Sequence, residues 1–305
     1  MALNDTLGRY GLWAVGLRTD NDDQLPAITD AAGELEELGY GTLWIGGSPS
    51  TAQVGPVLSA TTHVHVGTSI LNIWEHAAED VAAQHALLTE QHGPRFVLGL
   101  GVSHSEVVAR RHQEDPLFTR PYAAMRRYLD ALDAAPSPVP QHLRALAALG
   151  PKMLELAGER ALGALPYLVT VEHTAQARAA LGDGPLLAPE LKVVLDTDLD
   201  RARETARGYL GHYLGLANYT RNLQRLGFEE ADFEGGGSER LLDAVFALGD
   251  AETVRRKADA FLAAGADHVA LQVVQAAPGE PGALEPLPLA QWRELAKALP
   301  LGDRG

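Results

Sequence analysis

Apolar positions along the chain switch repeatedly between two periods. Short runs that are apolar almost throughout, such as Tyr10–Val15 and Thr42–Ile45, alternate with longer stretches. In the first of these, Leu25, Ile28, Ala31, Leu35 and Leu38 recur at helical spacing. A short all-apolar run reads as a strand buried on both faces, and a 3.6-residue period as a helix packed against it. The pattern predicts eight strands, at Tyr10–Val15, Thr42–Ile45, Val64–Leu71, Phe96–Leu100, Arg144–Leu149, Ala164–Val169, Leu191–Leu195 and His268–Val273. Nearly all are followed by a predicted helix. The punctuation agrees: Gly39 stands at a helix C′ position, Pro121 and Pro151 at first helical positions, and Asp198 and Asp250 at N-caps.

Strands alternating with helices specify a parallel sheet, and eight such units specify a closed (β/α)8 TIM barrel more readily than a doubly wound open sheet. The expected organisation is one α/β barrel domain over residues 1–305. It carries a helical insertion at about 215–249, ahead of the last strand and interrupted by Gly235-Gly236-Gly237. The Pro-rich segment Ala135–His142 is too short to separate domains. In such barrels ligands sit at the C-terminal ends of the strands. The residues just after each strand therefore carry the interest: Gly46-Gly47-Ser48, Ser69–His76, Gly101–Ser105, Gly150–Met153, Thr170–His173 and Gln275 onward.

Composition narrows the chemistry. A net charge of −15 argues against a nucleic-acid surface, which needs clustered Lys and Arg. The absence of cysteine removes disulfides, thiolate-bound metals and a thiol nucleophile. No run approaches the about 18 apolar residues of a membrane span. The opening MALNDTLGRYG lacks the basic and apolar regions of a signal peptide, so the expectation is a cytoplasmic, soluble enzyme acting on a small molecule. No metal site is expected: His63 and His65 lie at the stability end of a strand with no third ligand nearby. Glu34, Glu36 and Glu37 read as the solvent face of a helix.

Three motifs remain. Gly99-Leu100-Gly101-Val102-Ser103-His104 is not a dinucleotide fingerprint, because His104 stands where the third glycine must allow close helix–strand contact. Its glycines either let backbone lie against a flat ring or relieve crowding. Gly150-Pro151-Lys152 opens a helix directly after a strand, so its first-turn amides form an anion site that Lys152 reinforces; an ordinary helix start is the alternative. Trp13, Trp44 and Trp74 belong to the first three strands or the loops after them, and offer flat walls for an aromatic ligand or core packing. His104, His173 and Glu75-His76 are candidates at the productive end.

Together these residues resemble the luciferase-like monooxygenase superfamily, specifically its coenzyme F420-dependent oxidoreductase branch. The similarity runs from GRYGLWAV through LEELGYGTLWI, VHVGTSILNIW, RFVLGLGVSHSEVV, LAALGPKMLELAGERA and PYLVTVEHTAQAR to AGADHVALQVV. The resemblance implies a tricyclic cofactor across the barrel mouth, F420 or alternatively FMN, and a homodimer. A bulge after the third strand, often with a non-prolyl cis peptide, would back the ring at Ser69-Ile70. Asn72, Gly101, Val102 and Ser103 would border it, and Leu149, Gly150, Pro151, Lys152 and Met153 would hold the phosphate. His173 would reach the tail, and Trp13, Gly46, Gly47 and Trp74 would face substrate.

One departure stands out. Many F420-dependent members carry an acidic residue after the second strand, where Gly46-Gly47 stands here. The glycines would leave room for a bulkier substrate, alcohol oxidation would lack its base, and reduction is favoured. His104 is the candidate for proton transfer, and Gly235–Gly237 for a mobile lid. The alternatives are an FMN-dependent monooxygenase of the same fold and a non-catalytic cofactor-binding barrel.

Overall fold

The computed structural model describes residues 6–103, 115, 117–276 and 287–302. Its strands are β1 (Tyr10–Ala14), β2 (Thr42–Gly46), β3 (His65–Ser69), β4 (Leu71–Asn72), β5 (Phe96–Gly101), β6 (Arg144–Leu146), β7 (Gly163–Ala164), β8 (Leu186–Leu187), β9 (Glu190–Leu195), β10 (Phe246–Gly249) and β11 (Val269–Val273). They form one curled sheet in which every ladder is parallel.

Residues 186–195 close the barrel. β8 pairs with β7 on one side, while the N–H groups of Asp267 and Ala270 donate to the carbonyls of Leu187 and Pro189 at 2.9 and 3.0 Å on the other. Pro189 has no N–H to give a ladder, and it separates β9, the predicted Leu191–Leu195 strand, from the short β8, which the pattern did not predict. All eight predicted strands are present, several of them shorter than expected.

The helices are α1 (Leu25–Glu37), α2 (Gly55–Ser59), α3 (Ala78–His92), α4 (Pro121–Ala134), α5 (Pro151–Arg160), α6 (Val171–Leu181), α7 (Leu199–Leu214), α8 (Ala217–Arg225), α9 (Glu230–Phe233), α10 (Glu239–Val245), α11 (Ala251–Ala263) and α12 (Leu289–Ala298). Alternation along the strands sorts the core. Leu12, Leu43, Ile45, Val66 and Leu98 pack outward with the helices, whereas Trp13, Trp44, Val97, Ala145 and Ala270 fill the barrel interior. Trp44 plugs the interior: its ring occupies the place of a Cβ on Gly67, and its Nε1 donates to Nε2 of the buried His268 at 3.0 Å.

Residues 215–249 depart from the expected helical insertion. They hold three helices and then β10, which extends the sheet beside β9 in the register Phe246↔Lys192 to Gly249↔Leu195. Four apolar residues directly after a helix carry no period of their own, so the pattern reads them as more helix. The insertion has its own core, in which Leu210, Tyr219, Leu223 and Leu241 pack with Val194 and Leu248 of the sheet. Gly235, Gly236 and Gly237 turn at φ 60, 84 and 116°. Gly236 and Gly237 lie tight against α7, where their Cβ atoms would lie 2.9 Å from the carbonyl oxygen of Arg207 and 2.9 Å from the Leu210 side chain. At these two positions the glycines mark a close approach of backbone to helix.

Glu36 is also more than a solvated face. Its carboxylate accepts from the N–H groups of His63 at 2.6 Å, Val64 at 2.7 Å and Thr62 at 2.9 Å, pinning the entrance to β3. Partial burial raises its pKa, but the backbone donors outweigh that and bring it down to about 2.

Candidate active site

A cavity of about 700 Å³ opens at the C-terminal ends of the strands. Its floor is the turn after β3, where the peptide bond Ser69-Ile70 is cis, as the resemblance implied. The carbonyl oxygen of Ser69 accepts from Trp13 Nε1 at 3.2 Å, so the end of β3 locks the indole of β1 across the intervening β2. Ile70 lies across Gly101: a Cβ there would meet the Ile70 side chain at 2.5 Å. Gly101 thus admits Ile70 on one side and itself lines the cavity. Val102 and Ser103 continue the wall, with Ser103 at φ 56°, and the carbonyl of Val102 accepts from Trp74 Nε1 at 2.9 Å. Trp74 and Phe118 lie 6.3 Å apart on the same side.

The second side is the start of α5. Leu149, Gly150 and Met153 line the cavity. Gly150 is the N-cap residue and brings no side-chain cap, which leaves first-turn amides for a ligand. Arg221, from α8, stands on the same wall, and Arg225 Nη1 lies 3.8 Å from the position of a Gly150 Cβ. Pro151 and Lys152 are exposed and off the wall.

Several expectations are corrected here. Gly46 leaves no room for substrate: the Trp13 ring fills its Cβ position, 2.3 Å from Cζ2, and only Gly47 reaches the wall. Asn72 lies behind the wall, where its amide oxygen accepts from the Trp74 N–H at 3.2 Å and shapes the turn presenting that indole. His173 does not reach the cavity. Its Nε2 contacts the carbonyl of Leu149 at 3.0 Å, and burial lowers its pKa, so it props the start of α5 as a neutral ring. His104 lies outside the described residues.

The inner end was not anticipated. Tyr167, Tyr213 and Tyr219 line it, and Gln272 holds the hydroxyls of Tyr167 and Tyr209. Gln272 Oε1 accepts from Tyr167 at 2.9 Å and its Nε2 donates to Tyr209 at 2.7 Å, while the Tyr167 and Tyr209 oxygens are 2.6 Å apart. Beneath them Lys192 Nζ sits 3.7 Å from the centre of the Tyr167 ring and 2.6 Å from Glu190 Oε2. Both members of that pair are buried. Desolvation pushes Glu190 up and Lys192 down, and their mutual attraction opposes it. One signal was available in the sequence: Glu190 and Lys192, two residues apart in an otherwise apolar strand, must face the same side.

Among the described residues, none of the cavity-lining side chains is a carboxylate or an imidazole. No group of three or more His, Asp or Glu residues there could hold a metal, and no helix is long and apolar enough to cross a membrane.

The family model described as luciferase-like monooxygenase matches residues 9–268. The chain belongs to that family. No curated protein matches it. Solved structures show the luciferase-like fold at low identity. A coenzyme F420-dependent tetrahydromethanopterin reductase from Methanopyrus kandleri is 18% identical with a TM-score of 0.73, over 96% of this chain and 98% of that one. An F420-dependent secondary alcohol dehydrogenase in complex with an F420-acetone adduct is 15% identical at TM-score 0.71, over 96% and 98%. The oxygenating constituent of 3,6-diketocamphane monooxygenase from Pseudomonas putida, in complex with FMN, is 14% identical at 0.62, over 90% and 92%. Proteins sharing this fold thus include two described as F420-dependent and one in complex with FMN, and all three are oxidoreductases by their descriptions.

Proposed function

We propose that the chain is an F420-dependent oxidoreductase transferring hydride from a reduced deazaflavin to a small organic substrate. The observation that carries this is the character of the cavity wall. One side gathers the uncapped amides of α5 with Arg221 and Arg225, which suits an anionic side chain longer and more charged than the single phosphate of FMN. No described wall residue is a carboxylate or an imidazole, the usual base for the proton of an alcohol, which favours reduction over oxidation.

In this reading Ile70, Gly101, Val102 and Ser103 back the ring, while Leu149, Gly150 and Met153 present the start of α5 to the phosphate. Reduced F420 bound there supplies the hydride. Trp13, Trp74 and Phe118 exclude water and hold substrate flat against the ring. Arg221 and Arg225 screen the negative charge of the side chain.

Titrating the cofactor-free protein with F420 and with FMN, followed by fluorescence, tests the assignment. Saturable F420 binding with much weaker FMN binding is expected. FMN binding without F420 binding would overturn it in favour of the monooxygenase alternative, and binding of neither would leave only a degenerate barrel.

A further inference from the structure

We propose that the hydroxyl cluster of Tyr167, Tyr209 and Tyr213 is the oxygen subsite and proton source of the cavity, for a substrate whose carbonyl is conjugated to a C=C bond. This deepens the reductive reading above and rests on it.

Three phenol oxygens converge at one point of the wall. The Tyr213 oxygen lies 3.2 Å from that of Tyr167 and 3.0 Å from that of Tyr209, and the Gln272 amide holds both of these. Tyr213 also stacks on Tyr209 at 5.1 Å, so its hydroxyl is held at the boundary between cluster and cavity. Lys192 Nζ lies 5.8 Å from the centre of its ring. An oxygen so placed can release a proton and remain stabilised, because Tyr209 can donate to the resulting phenolate. Burial holds Tyr167 and Tyr209 well above the usual phenol range, so both keep their protons at neutral pH.

The chemistry balances. Hydride, carrying two electrons from the reduced deazaflavin, forms a C–H bond at the β-carbon. The C=C π pair shifts toward the carbonyl, whose oxygen becomes an enolate. The Tyr213 O–H bond breaks, its proton passes to that oxygen, and the enol tautomerises to the saturated carbonyl. The phenolate then accepts from Tyr209, whose own oxygen is held by the Gln272 N–H, and recovers a proton from water once product leaves. Trp13, 5.5 Å from the Tyr167 ring, walls the same end and suits a flat, apolar substrate. Tyr209, Gln272, Glu190 and Lys192 are positioning residues.

The test uses 4-nitrophenol, whose oxyanion mimics the enolate, added to the cofactor-free protein and followed by phenolate absorbance. Wild type is expected to bind the phenolate in preference to the phenol. Tyr213→Phe should reduce that preference about tenfold, the scale of a charge-assisted hydrogen bond, with F420 affinity unchanged. Tyr209→Phe should reduce it less. The proposal is overturned if wild type prefers the neutral phenol. It is equally overturned if Tyr213→Phe keeps the phenolate preference, or if that variant loses phenol, phenolate and F420 alike, as a purely structural tyrosine would. Phenolate preference in a protein that binds no F420 would instead remove the reductive reading and leave an oxyanion site.

Discussion

The indole of Trp13 occupies the space that a side chain on Gly46 would need, with ring atoms 2.3 to 2.7 Å from the missing Cβ. The resemblance implied an acidic group after the second strand; here the indole, held by the Ser69 carbonyl, walls that position. Gly46→Ala should therefore destabilise the fold by about 1–3 kcal/mol, the scale of an overpacked core. Trp13→Ala in the same chain should recover part of that loss, a coupling that chemical denaturation of the double-mutant cycle measures. A fully stable Gly46→Ala protein would contradict the contact.

Gly101 and Ile70 form the matching pair on the floor. Gly101→Ala should push Ile70 into the cavity, and F420 affinity is expected to fall at least about tenfold with the fold retained. The contact is side chain on side chain, and the cost of overpacking is of that order. Ile70→Val removes one of the atoms that Gly101→Ala would strike, so the double variant should regain affinity in the same titration.

Charge at the start of α5 should act through α8 rather than through Lys152. Lys152 is exposed, so Lys152→Ala should weaken F420 binding by no more than about threefold, as expected for a solvent-screened pair. Arg221→Ala, which removes a cation from the wall itself, should cost about tenfold and flatten the salt dependence of binding. Equal effects from both variants would place the anion elsewhere.

Two histidines set an acid limit. Burial brings His85 and His268 down to about 4, although each contacts a backbone carbonyl, that of Phe96 at 3.2 Å and that of Gly8 at 2.7 Å. In the unfolded chain they titrate near 6.5. Between those values the unfolded state binds more protons, so stability is complete above 6.5 and lost as pH falls toward 4. Each histidine contributes a loss of up to about 3 kcal/mol. Denaturation midpoints measured across that window should fall with pH, and less steeply in His85→Gln.

Much of the site was readable from the chain alone because it depends on local chemistry. A strand followed by Gly150-Pro151 places an uncapped helix start at the barrel mouth wherever the strand lies. Other roles were not legible, for a shared reason. Gly46, Gly101 and Gly236-Gly237 announce that something comes close, but not what. The neighbours proved to be Trp13, Ile70 and α7, each remote in sequence or on another element. His173 and Asn72 were placed in the correct neighbourhood, yet they face the backbone they support rather than the cavity.

The order of apolar runs and helical periods determined an eightfold parallel barrel with its chemistry at one end. Burying strands on both faces while crossing back over them leaves few other solutions. What only the tertiary structure decided is the inner wall. Tyr167, Tyr209, Tyr213, Lys192 and Gln272 come from the segment after β7, from β9 and β11, and from helix α7, with up to 105 residues between hydrogen-bonded partners. No local period encodes such a meeting, because it exists only once the ring of strands has closed.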